Sequence, residues 1–129
     1  MIKDPQETVL YVDDDLDDQE FFVSSLSESR PYAKCFVARD SSTAFEIIKT
    51  IPLPNFIFID LHLPRVNGIE LLRQLKVSEL YSAIPTYVLS TTLFEPHAIT
   101  IRELGGKGFF RKPSSLSDFK ALFDAVWAK

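Results

Sequence analysis

The 129-residue chain has a single cysteine, Cys35, so no internal disulfide can staple it, and the neighbours Phe36 and Val37 suit a buried, inert thiol. Long apolar runs are missing too. The stretch from Phe56 to Ile59 is far shorter than the roughly 20 residues that cross a bilayer, which excludes a membrane-spanning helix. The opening Met1-Ile2-Lys3-Asp4-Pro5 has no apolar secretion core, so a cytoplasmic location is expected. Basic residues do not gather into a footprint, which argues against direct DNA binding. Negative charge is plentiful in one place only. The formal net charge is −4, yet five aspartates fall between Asp13 and Asp18, and without them the chain holds 13 acidic against 14 basic residues. The surplus acidity is one local spot, and a cation is its natural visitor.

The length is that of one ordinary domain, so residues 1–129 are expected to form a single unit with no output domain. Val9 to Val12, Phe56 to Ile59 and Tyr87 to Leu89 are apolar on successive residues, the mark of strands covered on both faces and therefore parallel. Helical patterns lie between them. Ala44, Ile47, Ile48 and Ile51 repeat at helical spacing behind a Thr43-x-x-Glu46 capping box, and Phe119, Leu122, Phe123 and Val126 do so behind Ser115. Strands near 8–13, 33–37, 55–60, 85–90 and 107–111 thus alternate with helices near 17–29, 41–50, 67–77, 95–104 and 115–128. Such alternation implies a three-layer α/β fold, a (βα)5 flavodoxin-like arrangement with a parallel five-stranded sheet of order 2-1-3-4-5. Ligands then bind beyond the carboxyl ends of the strands, where the order reverses between strands 1 and 3.

Those strand ends carry chemistry. Strand 1 runs into Asp13-Asp14-Asp15 and strand 3 into Asp60. Two carboxylates about 4 Å apart repel by about 4 kcal/mol at an effective dielectric near 20, so three together either take up protons or hold a metal. An all-oxygen set with room for water suits Mg2+, which favours phosphate chemistry. Strand 4 ends in Ser90-Thr91-Thr92 and strand 5 in Lys112-Pro113, adding a hydroxyl and an ammonium at the same edge.

Val12-Asp13-Asp14, Ile59-Asp60-Leu61-His62-Leu63-Pro64, Asn67-Gly68, Ile84-Pro85 leading to Ser90, and Gly108-Phe109-Phe110-Arg111-Lys112-Pro113 together resemble response-regulator receiver domains in order and spacing. The resemblance implies that Asp60 accepts a phosphoryl group and that Asp13 and Asp14 position Mg2+, Asp14 directly and Asp13 through water. Asp60 itself and the backbone carbonyl of His62 would complete the metal ligands. It implies that Ser90 reaches the phosphoryl group, that Lys112 is its ion-pair partner, that Phe109 is the aromatic switch residue and that Lys112-Pro113 is a cis peptide. His62 and Thr92 occupy the positions that tune the lifetime of the phosphoryl group. The implied donor is a histidine kinase or phosphotransfer protein, the implied output an effector protein acting in trans, and the implied assembly a homodimer through helices 4 and 5. Apart from self-phosphotransfer and slow autodephosphorylation, no enzyme activity is expected.

Other readings compete residue by residue. Asp15, Asp17 and Asp18 fit a solvated helix start better than a site. A calcium loop through Asp13, Asp15 and Asp17 fails, because Asp18 stands where glycine is needed and Ser24 where glutamate is needed. A phosphohydrolase using an aspartyl-phosphate intermediate would want a second carboxyl two residues beyond Asp60, where His62 stands. A docking module that has lost phosphorylation would not need Asp13, Asp14, Asp60, Ser90 and Lys112 together.

Overall fold

A computed structural model describes residues 6–128. The chain runs β1 (Glu7–Val12), α1 (Leu16–Ser29), β2 (Ala33–Ala38), α2 (Ser41–Ile48), β3 (Phe56–Asp60), α3 (Gly68–Lys76), β4 (Thr86–Ser90), α4 (Glu95–Glu103), β5 (Gly108–Arg111) and α5 (Leu116–Trp127). All strand pairings are parallel and the order is β2-β1-β3-β4-β5, as the alternation of patterns predicts. In register, Val9 stands between Cys35 on one side and Phe56 on the other, which brings the ends of β1 and β3 level.

The sheet separates two unlike cores. Against α1 and α5 the packing is aromatic: Tyr11 stacks on Phe22 at 3.9 Å, and Phe22 meets Phe58, Phe119 and Phe123 edge-on or tilted. Against α2 and α3 it is mostly aliphatic, built on Leu10, Val12, Ile48, Ile57, Ile59, Leu71 and Leu75. A smaller cluster of Leu61, Leu72, Val88 and Ile101 lies under α4. Ile101 is the one fully buried residue of α4, and no side chain caps that helix at its start.

Helix starts follow short polar side chains. Asp15, Asn67 and Ser115 cap α1, α3 and α5 by accepting from Asp18, Glu70 and Asp118 N–H, each worth about 1 kcal/mol. At α2 the expected Thr43–Glu46 box is not used. The chain turns into the helix three residues earlier, so Asp40 is the cap and Thr43, already inside, donates its N–H to it at 2.8 Å. That bond, more than the nearby Arg39 and Arg65, holds the Asp40 carboxyl below its usual range. Asn67-Gly68 likewise acts as a cap and first helical residue instead of a free turn. Among the described residues no peptide bond is cis, so Lys112-Pro113 is trans, contrary to the expectation from the family pattern. The trans form is intrinsically favoured by about 0.5–1 kcal/mol. Here it already serves, because Lys112 N–H donates to Ser90 O at 2.7 Å and carries the pattern of β5 one residue further while the side chain reaches the strand ends.

Candidate functional site

β1, β3, β4 and β5 deliver Asp13, Asp60, Ser90 and Lys112 to one edge of the sheet, beside the reversal between β1 and β3. Asp13 and Ser90 are fully buried and Asp60 nearly so, while Asp14 is exposed. Asp13, Asp14 and Asp60 each offer a carboxylate oxygen, and the three oxygens lie within 4.8 Å of one another. A donor set made only of carboxylate oxygens, half sunk and open on the Asp14 side, is chemically suited to a hard divalent cation.

Every oxygen of Asp13 is engaged by the protein. Oδ2 accepts from the Tyr11 hydroxyl and from Lys112 Nζ at 2.9 Å, and Oδ1 accepts from Asp15 N at 3.0 Å. The backbone carbonyl of Asp13 takes Gln19 Nε2 at 2.6 Å, which ties the start of α1 to the end of β1. Burial is the main reason that the Tyr11 hydroxyl is held far above its ordinary pKa, with the charge of Asp13 adding to it, so it donates at any workable pH.

Asp60 accepts weakly, from His62 N at 3.3 Å on Oδ1 and from Lys112 Nζ at 3.4 Å on Oδ2. Burial raises its carboxyl to about 6, the charge of Asp13 pushes the same way, and Lys112 and His62 N–H offset only part. Desolvation would pull the Lys112 ammonium down, but its hydrogen bonds to Asp18 and Asp13 outweigh that and hold it above its usual value. Lys112 is therefore a fixed positive charge in a nest of carboxylates.

Ser90 Oγ accepts from Thr92 N at 3.3 Å and lies 3.4 Å from His62 Nε2, so the exposed His62 ring leans over the serine. Phe109, on β5 and half-buried, lines a cavity of about 200 Å³ with Leu93, Phe94, Glu95 and Ala98. The loop after Asp60 is tightly held. Gly68 N donates back to Leu61 O at 2.9 Å, and a Cβ on Gly68 would stand 2.6 Å from Asp60 O. Arg65 (φ 64°) reaches Asp40 at 3.2 Å, and Ser41 Oγ donates to Val66 O at 3.3 Å, so the start of α2 braces the loop from the other side.

Of the residues singled out from the sequence, Asp13, Asp14, Asp60, His62, Ser90 and Lys112 thus meet at one edge, whereas Phe109 lies further back along β5, packed under α4. Two partners escaped that reading. Asp18, expected to be a solvated helix-start residue, bonds Lys112 Nζ at 2.8 Å, and Tyr11, expected to be strand core, turns its hydroxyl on Asp13. The alternation along β1 places Tyr11 and Asp13 on the same face, and that signal could have found the second pair.

A family model for the response regulator receiver domain matches residues 9–124. The chain is 30% identical to the two-component response regulator ARR5 of Arabidopsis thaliana, over 92% of this chain and 69% of that protein. It is 34% identical to the phosphate regulon transcriptional regulatory protein PhoB of Pseudomonas aeruginosa, over 92% of this chain, and spans only 51% of that protein's length. Among solved structures, the Mn2+-bound form of response regulator Rcp1 superposes with a TM-score of 0.81 at 26% identity, covering 94% of both chains. No helix among the described residues is long and apolar enough to cross a membrane. A match over nearly the whole length, on a sheet of the expected order, makes this chain a member of the response regulator receiver domain family of two-component signalling.

Proposed function

We propose that this domain is a phosphorylation switch that takes a phosphoryl group on Asp60 from the phosphohistidine of a histidine kinase or phosphotransfer protein, with Mg2+ as cofactor, and signals to an effector in trans. The observation that carries the reading is a nearly enclosed carboxylate at a strand end, 3.4 Å from a buried ammonium and within 4.8 Å of two further carboxylates.

Asp13, Asp14, Asp60 and the backbone carbonyl of His62 would hold the ion, whose chemistry is to neutralise phosphoryl oxygens during transfer. An Asp60 oxygen attacks phosphorus in line, the bond from phosphorus to the donor nitrogen breaks, and the electron pair stays on the departing imidazole. With its pKa near 6, Asp60 is ionised and nucleophilic at neutral pH. Lys112 contributes a permanent charge to the transferred group, and Ser90, released from Thr92 N, donates to one of its oxygens. Movement of Ser90 frees space toward which Phe109 turns, and the α4–β5–α5 face, the surface of the proposed homodimer, changes with it. The product is a mixed anhydride that water cleaves slowly, so the domain carries out its own phosphotransfer and its own dephosphorylation.

Incubation with acetyl phosphate, followed by intact mass, tests this reading. One phosphoryl group is expected per chain, lost when Mg2+ is chelated and absent in Asp60→Asn. Uptake by Asp60→Asn at the wild-type rate would refute it.

A further inference from the structure

A lysine ammonium has three N–H donors, and the structure gives Lys112 three anionic neighbours: Asp18 Oδ2 at 2.8 Å, Asp13 Oδ2 at 2.9 Å and Asp60 Oδ2 at 3.4 Å. The shortest contact comes from outside the strand ends. Asp18 lies in the first turn of α1 and meets Lys112 across 94 residues of sequence. Its backbone is anchored, because its N–H is the one that the cap residue Asp15 accepts at 3.0 Å. Its carboxylate therefore works from a rigid base. The contact with Asp60 is the longest of the three, and the one with Asp18 has hydrogen-bond geometry.

We propose that Asp18 is a positioning residue for Lys112: its hydrogen bond, together with the ion pair to Asp13, holds the ammonium beside the acceptor, where a phosphoryl oxygen arrives. The inference rests on the reading of Asp60 as acceptor. A lysine on its four-carbon stem has many rotamers, and two fixed contacts remove that freedom before the phosphoryl group binds, which is how orientation lowers a barrier. Asp18 touches no reacting atom. Its side chain is 40% exposed, so substitution leaves the core untouched.

The test compares phosphoryl uptake from acetyl phosphate at saturating Mg2+, read by intact mass, in the full chain and in Asp18→Ala, Asp18→Asn, Lys112→Ala and the Asp18→Ala/Lys112→Ala double variant. Asp18→Ala is expected to slow uptake about tenfold, the size of one charge-assisted hydrogen bond. Asp18→Asn keeps an acceptor oxygen and recovers part of the rate. In the Lys112→Ala background the Asp18→Ala change has no further effect, because its only route is through the ammonium. Uptake by Asp18→Ala at or above the wild-type rate, an Asn variant no better than Ala, or an undiminished effect without Lys112 would each overturn the inference. Failure of the parent reading looks different: wild type takes up no phosphoryl group, or Asp60→Asn takes it up equally well.

Discussion

Replacing the acceptor carboxylate by its amide should stabilise the metal-free fold at neutral pH. In the folded chain the Asp60 carboxyl titrates at about 6 instead of 3.8, chiefly through burial and then through the charge of Asp13. The unfolded chain releases that proton at the ordinary value. Between about pH 4 and pH 6 the native state therefore binds more protons than the unfolded one, and stability falls as pH rises through that window. Roughly two pH units at about 1.4 kcal/mol each put the loss near 3 kcal/mol by pH 7. The side chain is only 9% exposed, so solvent screening removes little of it. For a domain of this length about 3 kcal/mol corresponds to roughly 10 °C in Tm. The assay is thermal unfolding of wild type and Asp60→Asn, followed by circular dichroism in EDTA from pH 4 to pH 8. Groups such as Asp40, whose carboxyl is lowered, titrate with the opposite sign but equally in both proteins, so they cancel in the difference. The Tm advantage of Asp60→Asn should grow by about 10 °C between pH 4 and pH 7, and excess Mg2+ at pH 7.5 should shrink it. A difference that is flat with pH, or that grows toward acid, would refute the electrostatic reasoning.

Two further outcomes follow from the supporting shell. Tyr11→Phe keeps the stack on Phe22 and removes only the hydroxyl that donates to Asp13. It should cost about 1–2 kcal/mol, read from urea unfolding in EDTA, and an unchanged midpoint would mean that the bond contributes nothing. Gly68→Ala puts a Cβ against the backbone of Asp60 and Leu61, at 2.6 and 2.9 Å, where nothing flexible can yield. A loss of about 1–3 kcal/mol, together with slower phosphoryl uptake, is expected; wild-type stability would show that the loop has slack.

Successive apolar residues in β1, β3 and β4, with helical spacing between them, made the sheet and its order legible. The carboxyl-end rule then led directly to Asp13, Asp60, Ser90 and Lys112. What escaped is physically intelligible. A cap such as Asp40 is chosen by where the chain leaves β2, which a local Thr-x-x-Glu pattern at Thr43 does not report. The meeting of Asp18 and Lys112 depends on how α1 lies over the end of β5, a tertiary fact separated by 94 residues. Whether a proline bond is cis is set by a small free-energy difference, and at Lys112-Pro113 the backbone bond to Ser90 O is made with the bond trans.

The single buried anchor of α4 gives that helix an energy scale of its own. Releasing one isoleucine from the interior costs about 2–3 kcal/mol, whereas unfolding a whole domain costs about 5–15 kcal/mol. With Ile101 as its only fully buried residue and no side-chain cap, α4 has the least buried anchorage of the five helices, and the aromatic side of the sheet does not depend on it. Were the release of Ile101 the whole cost, a detached form would make up on the order of 1% of molecules. An event at the acidic edge that favours the detached form by a few kcal/mol would then suffice to make the rare arrangement the common one.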